Sequence, residues 1–232
     1  MTIAYQGFVV DGEAYPSVSS IIKSDPKHKQ SKKSACLANQ GKKKQHQLNS
    51  TNRGLAVHNA CRQYLKTGEC DLDPAYFKYF DPVHDLLKTL DLKLWWAEGP
   101  VLEELNHLRS GDKSAVWSNK PHKYIGIPDA AGLVGGVPCL LEFKTSTLPI
   151  RSNYNPKQFN QYSEWVRYSC AAQQVSAYIH AWNQRIKSRP IHTGLIINST
   201  PEGAQLFIVE KGEVKKRLAS FHKLCKEYKS LY

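Results

Sequence analysis

The sequence predicts an α/β or α+β domain, with helices packed on one central mixed β-sheet. Three observations carry this expectation. Helical and strand periodicities follow one another as helices, strands, helix, strands, helix, the order expected of a layered domain. The stretch "KYIGIPDAAGLVGGVPCLLEFKTS", residues 123–146, reads as two buried strands around a Gly-Gly turn. The 232 residues suffice for one sizeable core, and no Pro/Gly/Ser-rich linker or composition break divides them, so a single domain over 1–232 is expected.

Residues 5–15 alternate around Asp11-Gly12, a type I′ turn signal, and predict an opening hairpin. Pro16 and Ser17 then start a short helix, "PSVSSII". The following stretch to Asn49 is polar and basic, with "SKKSACLANQ" a candidate helix and "GKKK" read as a loop. Leu55, His58, Cys61 and Leu65 recur at helical spacing between Asn52 and Lys66, which turns His58 inward, and Gly68 stops that helix. A helix over 74–92, strands over 94–102 and 116–118, and a long helix over 156–185 follow. "TGLIINS" and "AQLFIVEKG" read as strands, and "VKKRLASFHKLCKEYKSL" as a closing amphipathic helix.

The net charge of +12 is uneven. Between Lys23 and Arg53 nine Lys or Arg face one Asp, so this segment carries two thirds of the surplus, a footprint for a polyanion such as nucleic acid. A solvated lysine-rich surface is the plain alternative. The six cysteines form no C-x-x-C pair, which argues against a zinc ribbon or an iron–sulfur cluster and fits reduced thiols in a cytosol-like compartment. The first residues lack the apolar core of a signal peptide, and no apolar run approaches a membrane span, so a soluble intracellular protein with no membrane partner is expected, in a bacterial or phage-infected cell, or in an organelle if a leader has been removed.

The hairpin carries the candidate chemistry. With Gly135-Gly136 as its two-residue turn, paired positions sum to 271, which sets Asp129 across from Glu142. Like charges there destabilise a sheet unless something positive lies between them. Lys144, two residues beyond Glu142, shares its face, together with Ile127, Ala131 and Leu140; Val137, Cys139, Leu141 and Phe143 cover the other. Two apolar faces mark a central strand pair, where buried carboxylates need a partner. A hard divalent ion, Mg²⁺ or Mn²⁺, suits two carboxylates better than zinc does. The competing reading is a simple salt bridge from Lys144 to a carboxylate at the sheet end.

At Pro128-Asp129 and Glu142-Phe143-Lys144 the sequence resembles the PD-(D/E)xK nuclease superfamily. More closely it resembles the RecB-like exonuclease branch, with the mitochondrial genome maintenance exonuclease family and related phage exonucleases. "YPSVSSII", "RGLAVH", "YIGIPDA", "LLEFKTS", "AAQQVSAYIHAWN" and "TGLIINS" occur in order, from Tyr15 to about Ser199. The resemblance implies a restriction-endonuclease-like core and metal binding by His58, Asp129, Glu142 and the Phe143 carbonyl, with Lys144 as the catalytic lysine beside Asp129 and Glu142. Gln174 and Tyr178, four apart on one helix face, would support the site and contact DNA. Two departures stand out: close relatives have Asp where this chain has Glu142, and a long insertion, "RSNYNPKQFNQYSEWVRYSC", separates Lys144 from Gln174.

The expected function is metal-dependent hydrolysis of DNA phosphodiesters from single-stranded ends in replication, recombination or repair. Thr145 and Ser146 are candidate phosphate contacts, with capping of a turn as the alternative. Lys42, Lys43, Lys44 and Arg53 belong to a basic segment expected to pass over the site and guide single-stranded DNA through phosphate contacts. Tyr15, Trp95, Trp96, Trp117 and Trp165 are stacking or core aromatics. The alternatives are a structure-specific endonuclease with the same metal site, and a non-catalytic nucleic-acid-binding module.

Overall fold

The computed structural model describes residues 7–10, 13–27, 43–97, 116–118, 120–153 and 161–229. It is an α+β fold around a mixed five-stranded sheet. Strands β1 (Gly7–Val10) and β2 (Glu13–Pro16) pair antiparallel as the opening hairpin, in a register from Gly7↔Pro16 to Val10↔Glu13. Helix α1 (Val18–Ser24) follows directly: Ser17 sits in extended backbone and its hydroxyl accepts the Ser20 N–H at 3.0 Å, an N-cap.

Helix α2 (Lys43–Thr67) begins earlier than expected, so Lys43 and Lys44 are helical rather than looped. Its first turns are polar but rich in Lys and Gln, which favour helix without leaving an apolar period to read. Gly68 ends it with a positive φ of 79° and an N–H bonded to the Tyr64 carbonyl. The inward stripe is Val57, Ala60 and Cys61, with Tyr64 and Leu65 beside it; Leu55, expected inside, is exposed. A 3₁₀ turn capped by Asp73 leads into α3 (Phe77–Thr89).

The main sheet runs in the order β3 (Leu92–Ala97), β6 (Ala130–Val134), β7 (Val137–Thr145), β8 (Thr193–Thr200), β9 (Gly203–Val209). A separate short pair, β4 (Val116–Ser118) and β5 (Tyr124–Gly126), lies outside it. The β6–β7 hairpin has the predicted register: every pair from Ala130↔Leu141 to Val134↔Val137 sums to 271, around a Gly135-Gly136 turn with both φ positive. β7 and β8 are parallel, joined through helix α4 (Tyr162–Arg185), and α5 (Lys211–Lys229) closes the described chain.

Alternation along β7 splits the core in two. Leu140 joins Ala131, Ile196 and the apolar faces of α1, α4 and α5. Cys139, Leu141 and Phe143 join Ile197 and the buried residues of α2 and α3. Val137, at the turn, is exposed. β7 is therefore central and covered on both faces, as its composition predicts. Five cysteines, Cys61, Cys70, Cys139, Cys170 and Cys225, are free thiols. Among the described residues, no helix is long and apolar enough to cross a membrane.

Candidate active site

Polar side chains converge where β7 runs out against α2 and α4. Pro128 has no N–H to continue the β6 ladder, which starts one residue later than the pairing rule allows. Asp129 therefore sits in the bend before β6 rather than in a ladder pair with Glu142, a correction to the expected cross-strand pair. Its carboxylate takes the place of a ladder carbonyl: Oδ2 accepts the Phe143 main-chain N–H at 2.6 Å. Its Oδ1 lies 3.2 Å from Nδ1 of His58, on α2, and the His58 ring meets the edge of Phe143.

Glu142 and Lys144 project on the face of β7 opposite to the Phe143 side chain, toward α4. The Lys144 ammonium donates to Glu142 Oε1 at 2.6 Å and to Gln174 Oε1 at 2.9 Å. Gln174 in turn donates through Nε2 to the Tyr178 hydroxyl at 2.8 Å, one helical turn along α4. Despite the insertion between them, Lys144 and Gln174 are in direct contact. Tyr178 is buried and the edge of its ring lies against Gly126, where a Cβ would fall 2.0 Å from Cε1. Gly126, in "YIGIPD", is thus a site residue that sequence reasoning missed; only its place two residues before Pro128 hinted at it.

Burial drives the electrostatics. Desolvation, aided by the charge on Asp129 and opposed by Lys144, pushes the Glu142 carboxyl up to about 7. Desolvation acts on Asp129 in the same sense, but the charge and hydrogen bond of His58, with Lys144 and the Phe143 N–H, overcome it and hold that carboxyl below its usual range. Burial would lower the pKa of Lys144; the flanking Glu142 and Asp129 reverse this and keep it cationic. His58 behaves alike, with burial outweighed by Asp129, so its pKa is raised. Two neighbouring acids are thereby pushed apart, Asp129 ionised and Glu142 poised near neutrality.

Glu142 Oε2 is buried and has no hydrogen-bond partner. The Lys144 ammonium serves Oε1 alone, so an ionised carboxylate there leaves its second buried oxygen uncompensated. Among the described residues, no three His, Cys, Asp or Glu side chains gather as a metal cage. Two carboxylates in one cleft suit a hard cation that retains much of its water, as Mg²⁺ does, better than they suit a zinc-type cage of side chains. His58 has committed Nδ1 to Asp129, so Nε2 is the ring nitrogen left for any further contact.

No protein-family model and no curated protein matches this chain. What bears on function is the chemistry of the cleft, a cavity of about 570 Å³ whose walls include His58, Asp129, Glu142, Lys144, Gln174 and Tyr178. It lies at the carboxyl end of the parallel strand β7, where open α/β sheets place their ligand sites.

The remaining predicted contacts divide. Thr145 and Ser146 both line a neighbouring cavity, but the Ser146 hydroxyl is engaged with the Leu148 carbonyl and Asn198 Oδ1, so it clamps the turn after β7. Arg53 folds inward over the Tyr79 ring, 4.6 Å from its centroid, and donates to the Tyr79 and Ser50 hydroxyls. In this position it braces α2 on α3. Lys42 lies outside the described residues, as does most of the basic stretch expected over the site; Lys43 and Lys44 are placed only as the start of α2. Tyr15, Trp96 and Trp117 are core residues, and Trp95 packs against the core.

Proposed function

We propose that this chain is a Mg²⁺- or Mn²⁺-dependent deoxyribonuclease that hydrolyses phosphodiester bonds from single-stranded DNA ends, in replication, recombination or repair. The observation that carries the proposal is the orphaned, buried Oε2 of Glu142 beside an ionised Asp129, with Lys144 fastened between Glu142 and Gln174. Asp129, Glu142 and the Phe143 carbonyl would hold the ion, and His58 orients Asp129 through Nδ1. A bound Mg²⁺ or Mn²⁺ supplies a Lewis acid that polarises a phosphate oxygen and acidifies water.

The chain's own part is positioning and charge. Lys144, kept as an ammonium by its two carboxylates, is a donor that orients the attacking water or stabilises negative charge on the phosphate as it develops. It is poorly suited to be a free base. Gln174 restricts where that ammonium points, and Tyr178 restricts Gln174. The +12 charge favours a polyanionic substrate. End-labelled linear single strands and closed circular single strands, each given Mg²⁺ or Mn²⁺, test the reading. Cleavage of the linear strand alone supports the exonuclease, cutting of circles supports an endonuclease, and no cutting of either with both metals refutes the proposal.

A further inference from the structure

Two more cavities continue from the carboxylate cleft along the outer side of α4. The first, about 490 Å³, shares Ser19, Lys144 and Gln174 with the cleft and adds Lys23 and Arg167; no carboxylate lines it. The second, about 780 Å³, shares Val166 and Cys170 with the first and opens between α4 and α5. Four cations, Lys27, Lys216, Arg217 and Lys223, line it against two carboxylates, Asp25 and Glu227. Arg217 is taken by Glu213, whereas the side-chain ammonium groups of Lys27, Lys216 and Lys223 form no ion pair with a carboxylate among the described residues, Lys27 bonding Asp25 only through its main-chain N–H. Trp165 stands in the same wall, 6.0 Å from the Tyr162 ring.

We propose that these cavities form one track for single-stranded nucleic acid, running from Lys144 over α4 into the groove between α4 and α5. The proposal rests on the nuclease reading for where the track begins, and on its own residues for what it binds. α5 carries seven Lys or Arg against two Glu, a second concentration of positive charge apart from the segment between Lys23 and Arg53. Lys216 and Lys223 are seven residues apart, two turns, so they project on one side of α5 about 10 Å apart along its axis. Phosphates supply the counter-charge for such a row, and Trp165 lies in the same wall. The track also gives the insertion between Lys144 and Gln174 a purpose. Its final residues are the first turns of α4, where Ser163, Trp165, Val166 and Arg167 form the wall.

The test is binding of the full chain, without divalent metal, to fluorescent oligothymidylates of increasing length, read by anisotropy over a salt series. The track predicts that affinity grows with length until the groove is spanned. The double variant Lys216→Glu/Lys223→Glu should lose roughly ten-fold or more on the long strand and little on the shortest, with the salt slope lowered by about 1.4 for two phosphate contacts. Lys88→Glu/Lys93→Glu, a charge change on α3 and β3, controls for net charge, and circular dichroism confirms folding of both variants. Equal losses in the two double variants, or unchanged long-strand affinity and slope in Lys216→Glu/Lys223→Glu, overturn the track. Loss of the length increment in a chain that cleaves nothing sustains the track while the nuclease reading fails. Full cleavage with an unaltered increment in Lys216→Glu/Lys223→Glu removes the track alone.

Discussion

Lys144 donates to Gln174 at 2.9 Å, joining residues thirty positions apart across the β7–α4 crossover. The same ammonium holds Glu142, so Gln174 is a positioning residue for the lysine assigned to the chemistry. Replacing Gln174 with Ala should lower the cleavage rate about 10–100-fold, the usual effect of removing a partner that orients a site group. The loss should fall on kcat, with DNA affinity little changed. A variant with wild-type kcat, or one whose whole defect lies in KM, would show that the contact is incidental.

Gly126 and Tyr178 set the back wall of the same network. Gly126→Ala drives a methyl into the Tyr178 ring, so the ring or β5 must shift. The expected cost is about 1–3 kcal/mol of stability, as for overpacking elsewhere, with reduced cleavage because Gln174 loses its anchor. Thermal unfolding and cleavage measured together check this. A variant as stable and active as wild type would mean that Tyr178 does not hold Gln174 in place.

The raised pKa of Glu142 predicts a pH-dependent response to metal. Between its ordinary value of 4.5 and about 7, the folded chain keeps a proton that the unfolded chain releases. Stability from this group therefore falls as pH rises through that window. A divalent cation on the ionised carboxylate counters the loss, so Mg²⁺ should raise the melting temperature more at pH 8 than at pH 5. Glu142→Gln should abolish the difference. Equal Mg²⁺ shifts at both pH values in the wild type would contradict the assignment of Glu142 as a ligand.

Legibility of the fold followed local chemistry. The Gly135-Gly136 turn carries its own conformational signature, so the β6–β7 register is legible from the amino-acid order alone. That register stops one residue short of Asp129 because Pro128 interrupts the ladder, and the carboxylate bonds the backbone instead of facing Glu142. The start of α2 was hidden because its first turns are polar, and Leu55 kept the helical period while lying on the outer side of the stripe. Gly126 could not be recognised without the ring it accommodates. The Lys144–Gln174 contact depends on how α4 crosses the sheet, which no local pattern encodes. Arg53 reads as one more cation in a basic stretch until Tyr79 is seen beneath it.

The central claim is that Asp129, Glu142 and Lys144 form a metal-dependent hydrolytic site, and Lys144→Ala examines it most directly. Single-turnover cleavage of an end-labelled single strand with Mg²⁺ should be abolished in this variant and in Asp129→Ala. Folding, and most of the DNA affinity measured without divalent metal, should persist in both. Full cleavage by either variant would contradict the account.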